Sequence, residues 1–318
     1  MSELHKFLFE GLPVRGMLVR LTDAWQELLR RRATVGGFAP PVRDLVGEMA
    51  AAATLLQANI KFNGSVVLQI MGDGPVKLAV AECRPDLSFR ATAKIVGNVP
   101  AGAELRALLN VHGQGRCAIT LDPQDRLPGQ QPYQGVVPLQ NAQGATLPSL
   151  AQVLEQYMRQ SEQLETRLVL AANEHMAAGL LIQRLPIEGE ANLGGQPGET
   201  TAEALAEGFN RIAHLAASLK QEELLTLDAD TLLRRLFWEE DVRRFEPLHP
   251  RFACTCSRGR VAAMLHNLGR EEADSIIAEQ GRIEIGCDHC GAHYHFDAVD
   301  VGELFGALPG QAGSAALH

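Results

Sequence analysis

The sequence predicts an α+β protein in three parts. These are an N-terminal mixed α/β domain with an antiparallel sheet (residues 1–190), a helical linker region (191–247) and a small C-terminal domain (248–318). Three observations carry this reading. Apolar residues recur with helical spacing as far as Leu56 and then switch to the alternation of strands. A glycine-rich stretch after Pro186 separates that region from a run of amphipathic helix. Four of the six cysteines fall in two close pairs near the C-terminal end, which makes the last part a zinc-binding domain.

Taken in order, Thr22 is placed to cap a helix through Trp25, Leu28 and Leu29, with Arg30, Arg31 and Arg32 at the end where the helix dipole favours cations. Pro41 suits the first turn of a second helix, whose apolar positions are Leu45, Val46, Met49, Ala53 and Leu56. Strands are expected at 66–70, 76–80 and 87–91, joined by turns at Gly72-Asp73-Gly74-Pro75 and Arg84-Pro85-Asp86. This reads as an antiparallel meander, continued by 117–121 and 135–137. A helix over 150–165 and a strand over 167–170 complete the domain.

No catalytic constellation stands out in this part. Gly72-Asp73-Gly74 begins like a dinucleotide loop, but the third glycine is missing and a proline follows, as in a hairpin turn. There is no G-x-S-x-G elbow, P-loop or H-E-x-x-H motif. Asp122, Asp125 and Glu104 read as isolated carboxylates in turns, and Cys83 and Cys117 as buried structural thiols. The expectation is a binding protein rather than an enzyme.

Beyond the loop at 186–199, Leu205, Phe209, Ile212, Ala213, Ala216 and Leu219 form an apolar stripe that Leu224 and Leu225 continue. Asp230 is placed to cap a further helix through Leu232, Leu233, Leu236 and Phe237. Glu239, Glu240, Asp241, Arg243 and Arg244 crowd the other face. Two readings stay open here: an ordinary amphipathic subdomain, or a marginally folded segment that depends on its neighbour.

The cysteines come as Cys254-Thr255-Cys256 and Cys287-Asp288-His289-Cys290. In extended chain, residues i and i+2 point to one side, so Cys254 and Cys256 can reach one ion together. The second pair lies between Arg282-Ile283-Glu284-Ile285 and His293-Tyr294-His295-Phe296, which alternate like a hairpin with Gly291 in its turn. One Zn2+ per chain on Cys254, Cys256, Cys287 and Cys290 is expected, and His289, His293 and His295 lie beside the site without being needed as ligands. Arg251, Arg258 and Arg260 are placed to offset the charge of four thiolates. So small a region folds together with its metal. Zinc holds the sulfurs as oxidisable thiolates, so oxidation to nearest-neighbour disulfides, Cys254–Cys256 and Cys287–Cys290, expels it. The C-x-x-C pair is expected to form first, its ring being less strained.

A net charge of −9 argues against nucleic acid as a partner, and no apolar run is long enough to span a membrane. An N-terminus without a signal-peptide pattern, with free thiols, reads as cytoplasmic. Three other uses of the cysteines compete: a structural zinc knuckle, a zinc-ribbon nucleic-acid module, and a thiol oxidoreductase working through the C-x-x-C pair.

Phe252-x-Cys254-Thr255-Cys256-Ser257-Arg258-x-Arg260, Asp274-Ser275-Ile276-Ile277-Ala278-Glu279 and Cys287-Asp288-x-Cys290-Gly291-x-x-Tyr294-x-Phe296 resemble the bacterial redox-regulated holdase family, the 33-kilodalton heat shock protein. Val14-Arg15-Gly16, Gly72-Asp73-Gly74-Pro75, Tyr133-Gln134-Gly135-Val136-Val137, Ser161-Glu162-Gln163-Leu164, Thr166-Arg167-Leu168 and Glu222-Glu223-Leu224-Leu225 extend the resemblance over nearly the whole chain. It implies an ATP-independent chaperone, inactive when reduced and zinc-bound. Oxidation to two disulfides then releases zinc, unfolds a linker that covers apolar surface, and yields a dimer that holds unfolding client proteins. No role is carried to Cys83 or Cys117.

Overall fold

In the computed structural model, residues 1–125, 129–186 and 202–306 are described. By its contacts the chain divides into two units, Met1–Ala253 and Cys254–His318.

The first unit is layered around one helix. After strands β1 (Glu3–Phe9) and β2 (Val14–Leu21) come helices α1 (Asp23–Ala33) and α2 (Pro40–Asn59). Helix α2 is apolar on nearly every side, from Val42 to Leu56, and an all-round apolar helix has to be buried. It lies between two sheets. On one side are β3 (Gly64–Met71), β4 (Val76–Cys83) and β5 (Ser88–Ile95); on the other are β2, β8 (Thr166–Ala172) and β9 (Ala177–Arg184). Pro40 and Pro41 open α2 where a missing N–H costs nothing.

The expected strands at 66–70, 76–80 and 87–91 are β3, β4 and β5, but the meander does not continue as read. After the short helix α3 (Leu105–Leu109), β6 (Arg116–Pro123) crosses back to pair with β3, and β7 (Tyr133–Pro138) pairs with β6. Asp122 therefore lies within a strand, opposite Ser65, rather than in a turn. Helix α4 (Leu150–Ser161) ends four residues before the expected Glu165, and its Ser149 cap accepts from the Gln152 N–H at 3.3 Å.

A second sheet was not expected: β1, β2, β8 and β9 form one antiparallel array. Strand β9, Ala-Ala-Gly-Leu-Leu-Ile-Gln-Arg, is buried on both faces and so reads as a continuous apolar run without alternation. Its far face is covered by helices α5 (Ala202–Ala217), α6 (Gln221–Thr226) and α7 (Ala229–Phe237). Phe209, Ile212, Ala216, Leu219, Leu224, Leu232, Leu233, Leu236 and Phe237 close a second core over Phe7, Phe9, Val14, Leu18, Leu180 and Ile182. Phe237 meets Phe9 edge-on, with ring centroids 5.0 Å apart. Most of the predicted stripe is thus buried, with Leu205, Ala213 and Leu225 half-buried. Most of the predicted loop at 186–199 lies outside the described residues.

Two caps differ from expectation. Thr22 holds the cap position of α1, but Ser2 does the capping: its hydroxyl oxygen accepts from the Thr22 and Ala24 N–H groups at 3.0 and 3.1 Å. Helix α7 is capped by Asp228, which accepts from the Thr231 N–H at 2.8 Å, while Asp230 pairs with Arg244 at 2.6 Å. After α7 the chain adds β10 (Val242–Arg244) beside β1 and β11 (Arg251–Phe252) beside β5.

The second unit holds α8 (Arg258–Leu268), α9 (Arg270–Gln280), the hairpin β12 (Ile283–Gly286) and β13 (His293–Phe296), and α10 (Ala298–Gly306). Among the described residues its core is Val261, Leu265, Ala273, Ile283, Phe296 and Val301.

Candidate metal centre

The four paired cysteines converge. The Sγ atoms of Cys254, Cys256, Cys287 and Cys290 all lie within 4.8 Å of one another. Cys254 meets Cys287 at 3.6 Å and Cys256 meets Cys290 at 3.3 Å, and all four are free thiols. Four sulfurs held about 2.3 Å from one zinc ion stand about 3.8 Å apart along the edges of a tetrahedron. The donor set and its spacing fit that ion.

Local structure explains the convergence. Cys256 stands directly before Ser257, whose hydroxyl caps α8 by accepting from the Arg260 N–H at 3.2 Å. The sulfur is therefore attached at the positive end of a helix, where thiolates are favoured. Cys287 and Cys290 sit in the turn between β12 and β13. That turn is closed by the Gly291 N–H donating to the Cys287 carbonyl and the Cys287 N–H to the Ala292 carbonyl, both at 2.8 Å. Gly291 has φ of 69°, the left-handed conformation that the turn requires.

The four thiols are not equivalent. Burial opposes ionisation of Cys256, but hydrogen bonds from Tyr294 and the other three sulfurs outweigh it and bring the group down to about 7. Burial pushes Cys290 and Cys254 up. Tyr294, which donates to Cys256, is itself pushed up to about 12, first by that bond. The sequence places this phenol in the motif that carries the family resemblance, Cys290-Gly291-x-x-Tyr294-x-Phe296, but assigns it no role beside the sulfurs.

Among the described residues no histidine joins the cluster. His293 and His295 turn to Glu284, at 3.1 and 3.7 Å. Arg258 does not offset the thiolates as expected. Its guanidinium pairs with Asp300 at 2.6 Å, donates to the His295 carbonyl and lies 4.3 Å from the Phe296 ring centre, tying α8 to β13 and α10. Arg251 is engaged by Asp86.

Cys83 and Cys117 lie apart in the sheet of the first unit, opposite Val66 and Ile70 of β3 on its two flanks. Burial pushes both up to about 12, so they are poor nucleophiles at neutral pH. The other motifs are explained by packing. A side chain at Gly16 would strike the Phe7 ring, and one at Gly135 the Tyr157 ring. Tyr157 and Tyr133 both donate to Glu162. Asp73 accepts from the Gln114 and His112 N–H groups, pinning the loop after α3 to the β3–β4 turn.

Residues 2–297 match the family model described as Hsp33 protein. The chain belongs to the Hsp33 family. A 33 kDa chaperonin from Chromobacterium violaceum is 47% identical over 304 residues, spanning 96% of this chain and 94% of that relative. One from Methylobacillus flagellatus is 43% identical over 305 residues, with the same coverage of each chain. The crystal structure of the Thermotoga maritima 33 kDa chaperonin superposes with a TM-score of 0.73 at 19% identity, covering 96% of this chain and 98% of that one, which establishes a shared fold. The molecule is thus an Hsp33-type chaperone with a four-cysteine cluster. Among its described residues no helix is long and apolar enough to cross a membrane.

Proposed function

We propose that this Hsp33-family chain is a redox-regulated, ATP-independent holdase without enzymatic activity, working in the cytoplasm. In the reduced state Cys254, Cys256, Cys287 and Cys290 hold one Zn2+ per chain. The observation that carries this is the convergence of four free sulfurs, all within 4.8 Å of one another, in a unit whose apolar core cluster has six residues among those described.

The chemistry is a two-electron oxidation at each pair. Two thiolates and one hypochlorous acid give a disulfide, chloride and hydroxide. The pairs are Cys254–Cys256 and Cys287–Cys290. In a four-sulfur cluster every edge is short, so present distances do not choose between pairings. Once the donors are consumed, chain connectivity does, because the β12–β13 turn keeps Cys287 beside Cys290. Loss of the donors releases the metal, and the C-terminal domain (248–318) loses its main support. The helical linker (191–247) then loosens from the core domain (1–190), the chains pair as dimers, and the uncovered apolar surface holds unfolding client proteins.

A thioredoxin-like oxidoreductase places its C-x-x-C pair before a helix, whereas Cys287 and Cys290 lie in a β-turn. A zinc-ribbon nucleic-acid module needs a basic face that a chain of net charge −9 does not favour. The test follows zinc release and light scattering of a heat-unfolding enzyme together, before and after hypochlorous acid, without ATP. The expected result is one equivalent of zinc released per chain and aggregation suppressed, both reversed by reductant and zinc. Zinc release with unchanged aggregation refutes the switch and leaves a structural knuckle.

A further inference from the structure

One short stretch, residues 241–253, finishes both sheets of the first unit. Strand β10 pairs antiparallel with β1, setting Val242, Arg243 and Arg244 opposite Phe9, Leu8 and Phe7. The pairing runs past the strand ends. The Glu10 N–H donates to the Asp241 carbonyl at 2.9 Å, the Phe245 N–H to the Lys6 carbonyl at 3.0 Å, and Leu4 and Leu248 exchange bonds of 2.8 and 2.9 Å. The stretch then crosses to the other sheet. There the Arg251 N–H donates to Leu87 and the Ala253 N–H to Phe89, at 3.2 and 3.0 Å, parallel to β5. So β10 and β11 are the outermost strands beside β1 and β5.

Backbone pairing runs the length of this strap, and side chains tie it at intervals: Arg243 pairs with Glu10, Arg244 with Asp230 and Arg251 with Asp86, while Val242 packs on the second core and Phe252 meets Phe89 edge-on. Of its apolar side chains Phe245 is 47% and Leu248 39% exposed, and Arg243, Arg244 and Arg251 are exposed as well. Its outward edge is blunted by those arginines and by Pro247, as exposed edges of soluble proteins are. The strands beneath are different. β1 and β5, seven and eight residues long, contain no proline. Bare, each is a row of N–H and C=O groups of the kind that recruits an extended chain. Such an edge reads backbone and is nearly indifferent to sequence. The strap's last bond is made by Ala253, and the next residue is Cys254.

We propose that the β1 and β5 edges, occupied here by the chain's own strap, are where an extended segment of an unfolding protein pairs through its backbone. This rests on the holdase reading above: when the cysteine cluster lets go, the strap loses its anchor and the client takes its place.

Two measurements on the oxidised full chain test this. The first is amide exchange with and without a bound heat-unfolded reporter enzyme. The Leu4 and Glu10 amides, which donate to the strap, are expected to exchange fast after oxidation and slow again when client binds. The second is competition by a synthetic peptide of residues 241–253 and by the same peptide N-methylated at Phe245, Leu248, Arg251 and Ala253. The plain peptide is expected to displace client, and the methylated one about tenfold less well or worse, since four of its donors are gone. If client is held while Leu4 and Glu10 stay unprotected and both peptides compete equally, clients bind elsewhere and the inference fails. Protection that needs no client and grows with protein concentration assigns the edges to a second copy of the chain and also overturns it. If oxidation never yields a holdase, scattering shows that first, and the reading beneath falls with the inference.

Discussion

The two units are held together by different means. Among the described residues the core clusters of Met1–Ala253 hold 44 apolar residues around α2 and 19 more between the second sheet and α5–α7; that of the second unit holds six. The first can stand on burial, at about 1.5–3 kcal/mol for each large apolar side chain. The second cannot, and its four sulfurs converge where a larger core would otherwise be needed. On the function proposed above, chemistry that destroys the small unit frees the α5–α7 layer and leaves the core around α2 intact.

Metal removal gives the largest effect. Structural zinc contributes roughly 10–16 kcal/mol in small metal-folded domains. A strong chelator under reducing conditions is expected to unfold the second unit, read as rapid proteolysis within 258–306, while 1–125 stays resistant. Cys287→Ser should do the same without chelator. Retained resistance in the chelated protein breaks the comparison, since it shows that six buried side chains suffice.

The α5–α7 layer sharpens it from the other side. Phe237 is 2% exposed and packs on Phe7 and Phe9. Phe237→Ala is expected to cost about 3–5 kcal/mol, the usual range for a buried aromatic. Exchange of amides in α5–α7 should accelerate far more than in α2. Equal acceleration in both makes the layer an inseparable part of the first core rather than a cover on it.

How much of this was legible depends on what each segment faces. α2 could be read because Pro41 marks its first turn and Leu45, Val46, Met49, Ala53 and Leu56 keep helical spacing, and β3–β5 because their apolar residues alternate. β9 could not, because it is buried on both faces and carries no alternation. The crossover of β6 to β3 is a choice among open edges that no local pattern records. The cysteine site was the clearest feature, since two spacings encode it. Tyr294 and the Arg258–Asp300 pair depend on the tertiary position of β13 and α10, which spacing does not give.

A polar defect in the first unit yields a smaller effect. Glu48 on α2 lines a cavity of about 600 Å³ with Asp44 and Glu104, and burial, then the Asp44 charge, pushes its carboxyl up to about 8. A raised folded pKa means the folded chain binds that proton more tightly than the unfolded one. The stabilisation is full below the ordinary carboxylate value and is lost as pH rises through about 8. At about 1.36 kcal/mol per unit, and with water entering from the cavity, the loss by pH 9 is on the order of 2 kcal/mol. Urea unfolding at about pH 6 and pH 9 is expected to show this slope in the parent and not in Glu48→Gln. An unchanged slope in the variant transfers it to another group.

The smallest effect separates Asp228 from Asp230 at the start of α7. Asp228 accepts from the Thr231 N–H and hydroxyl at 2.8 and 2.7 Å, and these bonds hold its carboxyl below the usual carboxylate range. Asp230 makes one surface pair, with Arg244 at 2.6 Å. A cap satisfies a backbone donor that has no partner in the helix, whereas an exposed pair trades one set of water contacts for another. Asp228→Ala should therefore lower the thermal midpoint measurably and speed exchange at the Thr231 amide, with Asp228→Asn restoring most of both. Asp230→Ala should change the midpoint less and leave that amide unaffected. The Asp228 difference belongs to neutral pH and fades in acid, as its depressed pKa is crossed from above. A larger loss from Asp230→Ala reverses the cap assignment and makes the Arg244 pair, beside β1, the main tie between α7 and the strap.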